Sequence, residues 1–271
     1  MISCWYWNND LDYLNFGEHI NWLLLDYFGV DWQPLILKDK NTHTKDCILI
    51  IGSELHKYAV SELSKCVDNI HIWGQGKGHG ECFNYGQYNI VPHLVRGKLT
   101  RDELSLPDHI PIGDPGFALP AVQPIADHPN DKILYVPHHT HRQNLRPKRR
   151  HLKYDEYVDI IFHKDEFVPT LYKIVNSRFV ITTSLHVSIA CMAYGTPFMI
   201  YLRHDEGMNF PNKWKDVYDD LGISLKVCYN IKDGMDWWRR NVKDYFTIPD
   251  PNDILETFPT SFSNSNNKEK K

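Results

Sequence analysis

The chain lacks several features that would narrow its role at once. Six cysteines stand at positions 4, 47, 66, 82, 191 and 228, and no two form a Cys-x-x-Cys unit. That argues against a zinc knuckle, and nothing in the spacing resembles a secreted disulfide framework. Cys47 and Cys191 lie inside apolar runs and read as buried thiols. Those runs are short: Trp22–Leu25, Ile48–Ile51 and Phe198–Leu202 fall far below the ~20 residues of a bilayer span. No basic segment followed by an apolar stretch opens the chain, so the reading is no signal peptide, no transmembrane segment and a cytoplasmic protein. An excess of basic charge is missing too. Thirty Lys and Arg face 34 Asp and Glu, a net charge of −4, which argues against a broad nucleic-acid-binding face. A small basic pocket for an anionic substrate remains compatible with that balance.

What is present is an ordinary globular composition, 42% hydrophobic and 24% charged over 271 residues, enough for one large domain or two small ones. No internal repeat is evident. Short β-branched runs alternate with amphipathic stretches, the pattern of βαβ units and a parallel sheet. In the first half the runs Cys47–Ile51 and Ile70–Trp73 read as strands, Leu55–Cys66 as a helix between them, and Thr100–Leu104 as a short helix with Thr100 as N-cap and Glu103 in the capping-box position. The prolines at 120, 124, 129 and 137 bracket a stretch without strong period. In the second half Lys132–Val136, Val158–Phe162, Phe179–Thr182 and Pro197–Leu202 read as strands. Glu166–Asn176, Ser184–Tyr194, Asn212–Leu221 and Met235–Tyr245, the last element, read as helices. The expected architecture is α/β: two Rossmann-like domains, residues 1–120 and 121–260, facing a central cleft in a GT-B-like arrangement. The Ser/Asn/Lys-rich residues 261–271 form a disordered tail.

In open α/β sheets ligands bind beyond the carboxyl ends of strands. Gly52-Ser53, the loop Gly74-Gln75-Gly76-Lys77-Gly78, Arg96, His138-His139 and Ser184-Leu185-His186 each follow an apolar run directly. The glycine-rich loop reads either as an anion cradle with a lysine or as a tight turn; it is not a Walker loop. His186, in the first turn of a helix, reads as a functional imidazole at an anion-binding helix start or as a residue packed between strand and helix. Arg96 suits bidentate binding of a carboxylate or phosphate; its other reading is an ion-paired arginine. His138, His139 and His141 lack metal-ligand spacing, so no metal is expected. The basic run Arg142–His151 reads as a solvated loop that can steer an anionic partner.

Taken together and in order, these segments resemble the polysaccharide pyruvyl transferase family from about residue 13 to 223. Asn15-Phe16-Gly17-Glu18 resembles the family's Asn-(Phe/Trp)-Gly-Asp segment, with Glu for Asp. Ile50-Ile51-Gly52-Ser53-Glu54-Leu55 resembles its first strand and glycine turn, and Trp73-Gly74-Gln75-Gly76-Lys77 its Trp-Gly-x-Gly loop. Val95-Arg96-Gly97-Lys98-Leu99-Thr100-Arg101 resembles Arg-Gly-Pro-x-Thr, with Lys98 where proline is common. Ile112-Gly113-Asp114-Pro115, Val136-Pro137-His138 and Ser184-Leu185-His186 with Ala193-Tyr194-Gly195-Thr196-Pro197 resemble the later segments, and Phe210–Gly222 the stretch after them. Ser184 stands where many members carry arginine.

The resemblance implies transfer of the enolpyruvyl unit of phosphoenolpyruvate, the donor substrate, onto two hydroxyls of a hexose or N-acetylhexosamine in a glycan, with release of phosphate and no obligatory cofactor. His186 is then the candidate acid–base residue and Arg96 the candidate donor clamp. Asn15, Gly52, Ser53, Gly76, Lys77, Asp114, His138, Ser184 and Leu185 are candidate substrate-binding residues. Trp73 and Tyr85 read as sugar-stacking or core aromatics, with core packing the preferred reading. The implied partner is a sugar or glycan, free, polymeric, lipid-linked or nucleotide-linked, and not a nucleic acid; a homo-oligomer is compatible. The same architecture also suits a glycosyltransferase using a nucleotide sugar, or a glycan-binding protein without activity.

Overall fold

A computed structural model describes residues 1–5, 13–35, 43–78, 80–141, 152–202, 211–243 and 247–263. The basic run, residues 142–151, lies outside the described residues, as do Phe210 and residues 264–271. The chain is a mixed α/β protein built on two parallel sheets of Rossmann-like type.

Strand β1 (Ile2–Trp5) opens the first sheet, and β2 (Tyr13–Asn15) leads into helix α1 (Phe16–Tyr27). Asn15 caps α1: its side chain accepts from the Gly17 and Glu18 N–H groups, and Glu18 reaches back in a capping box. Strands β3 (Trp32–Leu35) and β4 (Thr44–Leu49), helix α2 (Lys57–Leu63), and strands β5 (Val67–Trp73) and β6 (Ile90–Leu94) follow. The five strands order as β3-β1-β4-β5-β6, all parallel. The register shifts between Ile72 and Trp73, where β6 carries an extra residue, His93, and Trp73 stays paired with Leu94.

Helix α3 spans Lys98–Glu103 and is capped by Gly97. Thr100, expected at the cap, sits inside the helix because its N–H and hydroxyl both bond Asp216. Helix α4 (Leu119–Val122) leads to the second half. There lie β7 (Ile133–Val136), β8 (Glu156–Tyr157), β9 (Ile161–His163), helix α5 (Phe167–Val175), β10 (Phe179–Thr182), helix α6 (Leu185–Tyr194), β11 (Phe198–Ile200) and helices α7 (Pro211–Tyr218), α8 (Ile231–Trp238) and α9 (Pro251–Glu256). The second sheet orders as β11-β10-β7-β8, again parallel. Helix α6 is buried on almost every face and closes on Gly195 in the left-handed region, φ 74°. The strand expected at Val158–Phe162 forms later and elsewhere: β9 pairs antiparallel with β2 and joins neither parallel sheet. The helix expected over Met235–Tyr245 starts earlier, and α9 follows it.

The halves are stitched together. Besides the β2–β9 ladder, His19 Nε2 lies 3.0 Å from the Phe162 carbonyl and the two rings stack. One apolar cluster runs from β1 and α1 through α6 and the second sheet to Phe258, and a smaller one covers the other face of the first sheet. The chain's end returns to the first half. Thr257 Oγ1 accepts from Trp73 Nε1 at 2.8 Å, and Phe258 stacks on Phe28. Residues Thr260–Phe262 make a 3₁₀ turn whose Phe262 ring meets His71 edge-on. The fold therefore extends past position 261, where the tail was expected to begin, because an aromatic side chain anchors it. Among the described residues, no helix is long and apolar enough to cross a membrane.

Candidate active site

A cavity of about 340 Å³ opens where the carboxyl ends of both sheets meet, the place expected for a ligand site in such sheets. The first half contributes Trp5 from β1, Asn15 at the end of β2, Gly17, Glu18 and Asn21 from α1, Ile51–Glu54 after β4, and Gln75 after β5. The second half contributes His138, His139 and Thr140 after β7, Ser184, Leu185 and His186 at the start of α6, and Lys213 from α7.

His186 sits at the centre of this arrangement. A Cβ added to Gly17 would lie 2.5 Å from His186 Nδ1, so only glycine lets the imidazole rest against the first turn of α1. On the other side of the ring, Nε2 is 3.6 Å from Asp114 Oδ2. That exceeds a hydrogen bond, yet it puts a carboxylate beside the ring. Asp114 is buried, and its Oδ1 accepts the Gly116 N–H at 2.9 Å. Neither His186 Nε2 nor Asp114 Oδ2 has a hydrogen-bond partner among the described residues. Asp114 is absent from the cavity lining, so its carboxylate lies behind the imidazole.

Ser184, Leu185 and His186 line the cavity, so the electropositive start of α6 borders it. The Ser184 hydroxyl makes no cap bond, and its N–H donates to Thr182 Oγ1 at 3.0 Å. His138 is fixed by its N–H donating to Thr183 Oγ1 at 2.7 Å and by Nδ1 lying 2.9 Å from Thr140 Oγ1. Lys213 is the cationic side chain that residue-type reasoning missed. It is buried, and burial together with the nearby Arg96 charge brings its ammonium down to about 8, Glu54 opposing. A signal was available: buried Lys213, Trp214, Val217 and Tyr218 share one face of α7, and a lysine on an apolar stripe is out of place.

Arg96 has a different job from the one expected. Its side chain is wholly buried and paired with Asp216 at 3.1 Å. Nη1 donates to the Gly52 carbonyl at 3.0 Å and to Ser53 Oγ at 2.6 Å, and Nη2 donates to the Lys77 carbonyl at 2.7 Å. All three nitrogens thus serve protein acceptors, and Arg96 does not line the cavity. It holds the loops that do. Gly76 and Gly97 make this possible: a Cβ on Gly76 would lie 2.1 Å from Arg96 Cζ, and one on Gly97 would lie 1.9 Å from the Asp216 carbonyl oxygen.

The glycine-rich loop is bonded into its neighbours. Gly74 N–H donates to the Leu94 carbonyl, Gly76 N–H to the Gly52 carbonyl and Lys77 N–H to Thr100 Oγ1, which leaves those three donors committed internally. Lys77 pairs with Glu103 at 2.8 Å. Gly76 and Lys77 therefore stand outside the cavity, whereas Gln75 faces it, with Oε1 buried and without a hydrogen-bond partner among the described residues. Asn15, Gly52, Ser53, His138, Ser184, Leu185 and His186 line the one cavity together. Trp73 is a core residue bonded to Thr257, and Tyr85 packs on the smaller cluster. Among the described residues no group of three His, Cys, Asp or Glu side chains could hold a metal ion.

The sequence matches no curated protein. A solved structure of an uncharacterized protein from Klebsiella pneumoniae subsp. pneumoniae is similar over 80% of this chain and 87% of that one, at 12% identity and a TM-score of 0.48. The family model described as polysaccharide pyruvyl transferase matches residues 3–206. That span includes β1 through β11, the cavity residues other than Lys213, and the Gly17–His186–Asp114 contact, and it makes this chain a transferase belonging to the polysaccharide pyruvyl transferase family.

Proposed function

We propose that the chain moves the enolpyruvyl unit of phosphoenolpyruvate onto two hydroxyls of a hexose or N-acetylhexosamine in a glycan, forming a cyclic ketal and releasing phosphate. The observation that carries this reading is one cavity presenting both the His186 imidazole, backed by buried Asp114, and the buried ammonium of Lys213. In this reading the two sheets belong to Rossmann-like domains, residues 1–120 and 121–260, that close on the cavity in a GT-B-like way, and the protein works in the cytoplasm.

Phosphoenolpyruvate is strongly anionic. Lys213, the start of α6 and the Ser184 and His138 side chains are suited to its carboxylate and phosphate, and Lys213 takes the clamp role first given to Arg96. Protonated His186 gives its proton to carbon 3 of the donor, which becomes a methyl group and leaves carbon 2 electrophilic. Asp114 offers a negative charge to the protonated ring. A sugar hydroxyl attacks carbon 2 and loses its proton, which restores His186. Cleavage of the carbon–oxygen bond then expels phosphate, and a neighbouring hydroxyl closes the ketal while its proton leaves with the phosphate. Atoms and charge balance with no redox step. Asn15, Gly52, Ser53, Leu185 and Gln75 complete the wall around the reacting groups.

The test is phosphate release from phosphoenolpyruvate with a panel of acceptor glycosides, set beside nucleotide release from a panel of nucleotide sugars. Acceptor-dependent phosphate release, with a ketal in the product, supports the reading. Nucleotide release without it would make the chain a glycosyltransferase.

A further inference from the structure

A second cavity, of about 330 Å³, lies at the start of α2 and is lined by His56, Lys57, Tyr58, Ser61, Gly80, Glu81 and Tyr88. The reaction described above makes no use of it. One side-chain contact joins it to the active cavity: His56 lines the second, Glu54 lines the first, and His56 Nε2 is 3.1 Å from Glu54 Oε2. His56 Nδ1 accepts the Ala59 N–H and caps α2, which leaves the ring proton on Nε2 to donate to Glu54. Gly80, at φ +92°, lets the chain pass close beside His56, where a Cβ would lie 3.0 Å from the histidine's own Cβ. The two cavities are therefore neighbours across a fixed ridge.

The chemistry of the second cavity is aromatic and charge-balanced. Tyr58 is 73% exposed, a large solvent-facing surface for a tyrosine. Tyr88 is held edge-to-face by Phe83. The two oppositely charged side chains, Lys57 and Glu81, pair with each other at 3.1 Å, so the walls do not select an ion. A neutral sugar ring fits this combination. Its C–H face packs on a phenol ring while its hydroxyls meet Ser61, Lys57 and Glu81.

We infer that this cavity is a subsite for a neutral sugar residue of the acceptor glycan, the residue to be modified lying across the Glu54–His56 ridge. The inference rests on the glycan-acceptor reading above. It makes the acceptor an oligosaccharide or polymer rather than a single sugar.

The full chain, with Tyr58→Ala, Tyr88→Ala and Tyr58→Phe, is tested for retention on an array of neutral gluco-, galacto-, manno- and N-acetylhexosamine oligosaccharides. Tyr58 is exposed, so its variants should melt with the parent protein. The expected result is retention of the parent on at least one series, about 2- to 10-fold less for each alanine variant, the size of one lost aromatic contact, and near-parental retention for Tyr58→Phe. No retention of the parent on any series, or equal retention by Tyr58→Ala, would overturn the subsite. Phosphate release from phosphoenolpyruvate, measured on the same preparations, separates the two readings. Tyr58-dependent retention without phosphate release keeps the subsite and removes pyruvyl transfer. Phosphate release with Tyr58-independent retention does the reverse.

Discussion

Beneath the cavity floor, the Arg96 guanidinium is surrounded by Asp216, the Gly52 and Lys77 carbonyls and the Ser53 hydroxyl, with no exposed surface. On the wall above, Lys213 comes from the same helix as Asp216, is also buried, and borders the cavity itself. Both are cations at the convergence of the two sheets, and they differ in what surrounds them. The arginine's donors meet protein acceptors from three separate segments, so it ties the post-β4 loop, the post-β5 loop and α7 together. The lysine's burial, with the nearby Arg96 charge, lowers its affinity for a proton, and its side chain borders the cavity. A cation whose donors all meet protein acceptors away from the cavity is part of the scaffold; a buried one that borders the cavity is suited to receive an anion.

The sharpest way to break this comparison is to remove both. Arg96→Ala leaves Asp216 buried and uncompensated, so it should cost about 3–5 kcal/mol of stability, read by denaturant unfolding. A variant with unchanged stability and lost phosphoenolpyruvate affinity would return Arg96 to the role of a clamp. Gly17→Ala should leave the fold largely intact and push the His186 ring off its seat, given the 2.5 Å approach. Turnover should fall by about 10²-fold, as for a 1 Å misplacement of a reacting group, and donor binding by calorimetry should change much less.

Lys213→Met should weaken phosphoenolpyruvate binding by about 1.5–3 kcal/mol, the worth of a charge-assisted hydrogen bond. Its effect on stability should be opposite in sign to that of Arg96→Ala. The folded protein holds the Lys213 proton less tightly than the unfolded chain, at about 8 instead of the ordinary 10.5. Below about pH 8 both states carry the proton, so the burial penalty is fully present. It is relieved as pH rises from about 8 towards 10.5, where the unfolded state binds more protons. At pH 7 the methionine variant should therefore melt higher than the parent. Donor affinity of the parent should fall above about pH 8, as the ammonium becomes neutral, and Lys213→Arg, which keeps its charge, should remove that fall. Donor affinity that stays level from pH 7 to pH 9 in the parent would take Lys213 out of the donor site.

The extent to which the sequence disclosed all this follows from how local each signal is. Strands β7, β10 and β11 are buried along their whole length, since parallel strands covered on both faces need apolar residues throughout, and they appear where the pattern puts them; β4 and β5 show such a run only towards their ends, after polar residues that the pattern leaves out. Strands β1 and β3 and the β2–β9 ladder are short and mixed in polarity; pairing of residues 13–15 with 161–163 leaves no periodic trace. At the site, His186, Ser184 and Ser53 were legible because each follows a strand directly. The division of labour between Arg96 and Lys213 was not, because Asp216 lies 120 residues from Arg96 in sequence, and only the folded chain reveals that partner. The glycine-rich loop was misleading for a related reason. Three glycines and a lysine fit both an anion cradle and a tight turn, and acceptors from Leu94, Gly52 and Thr100 take up the N–H groups that a cradle would need.

The central claim is that His186 gives its proton to the donor from a seat shaped by Gly17 and Asp114. Its most direct test is the rate of phosphate release from saturating phosphoenolpyruvate by His186→Gln, in the presence of an acceptor that the parent uses and with the melting temperature shown to be retained. Glutamine keeps a hydrogen bond and cannot exchange the proton, so the account predicts turnover lower by about 10²–10⁴-fold, with donor binding still measurable. Parental turnover in that variant would make His186 a packing residue and contradict the account.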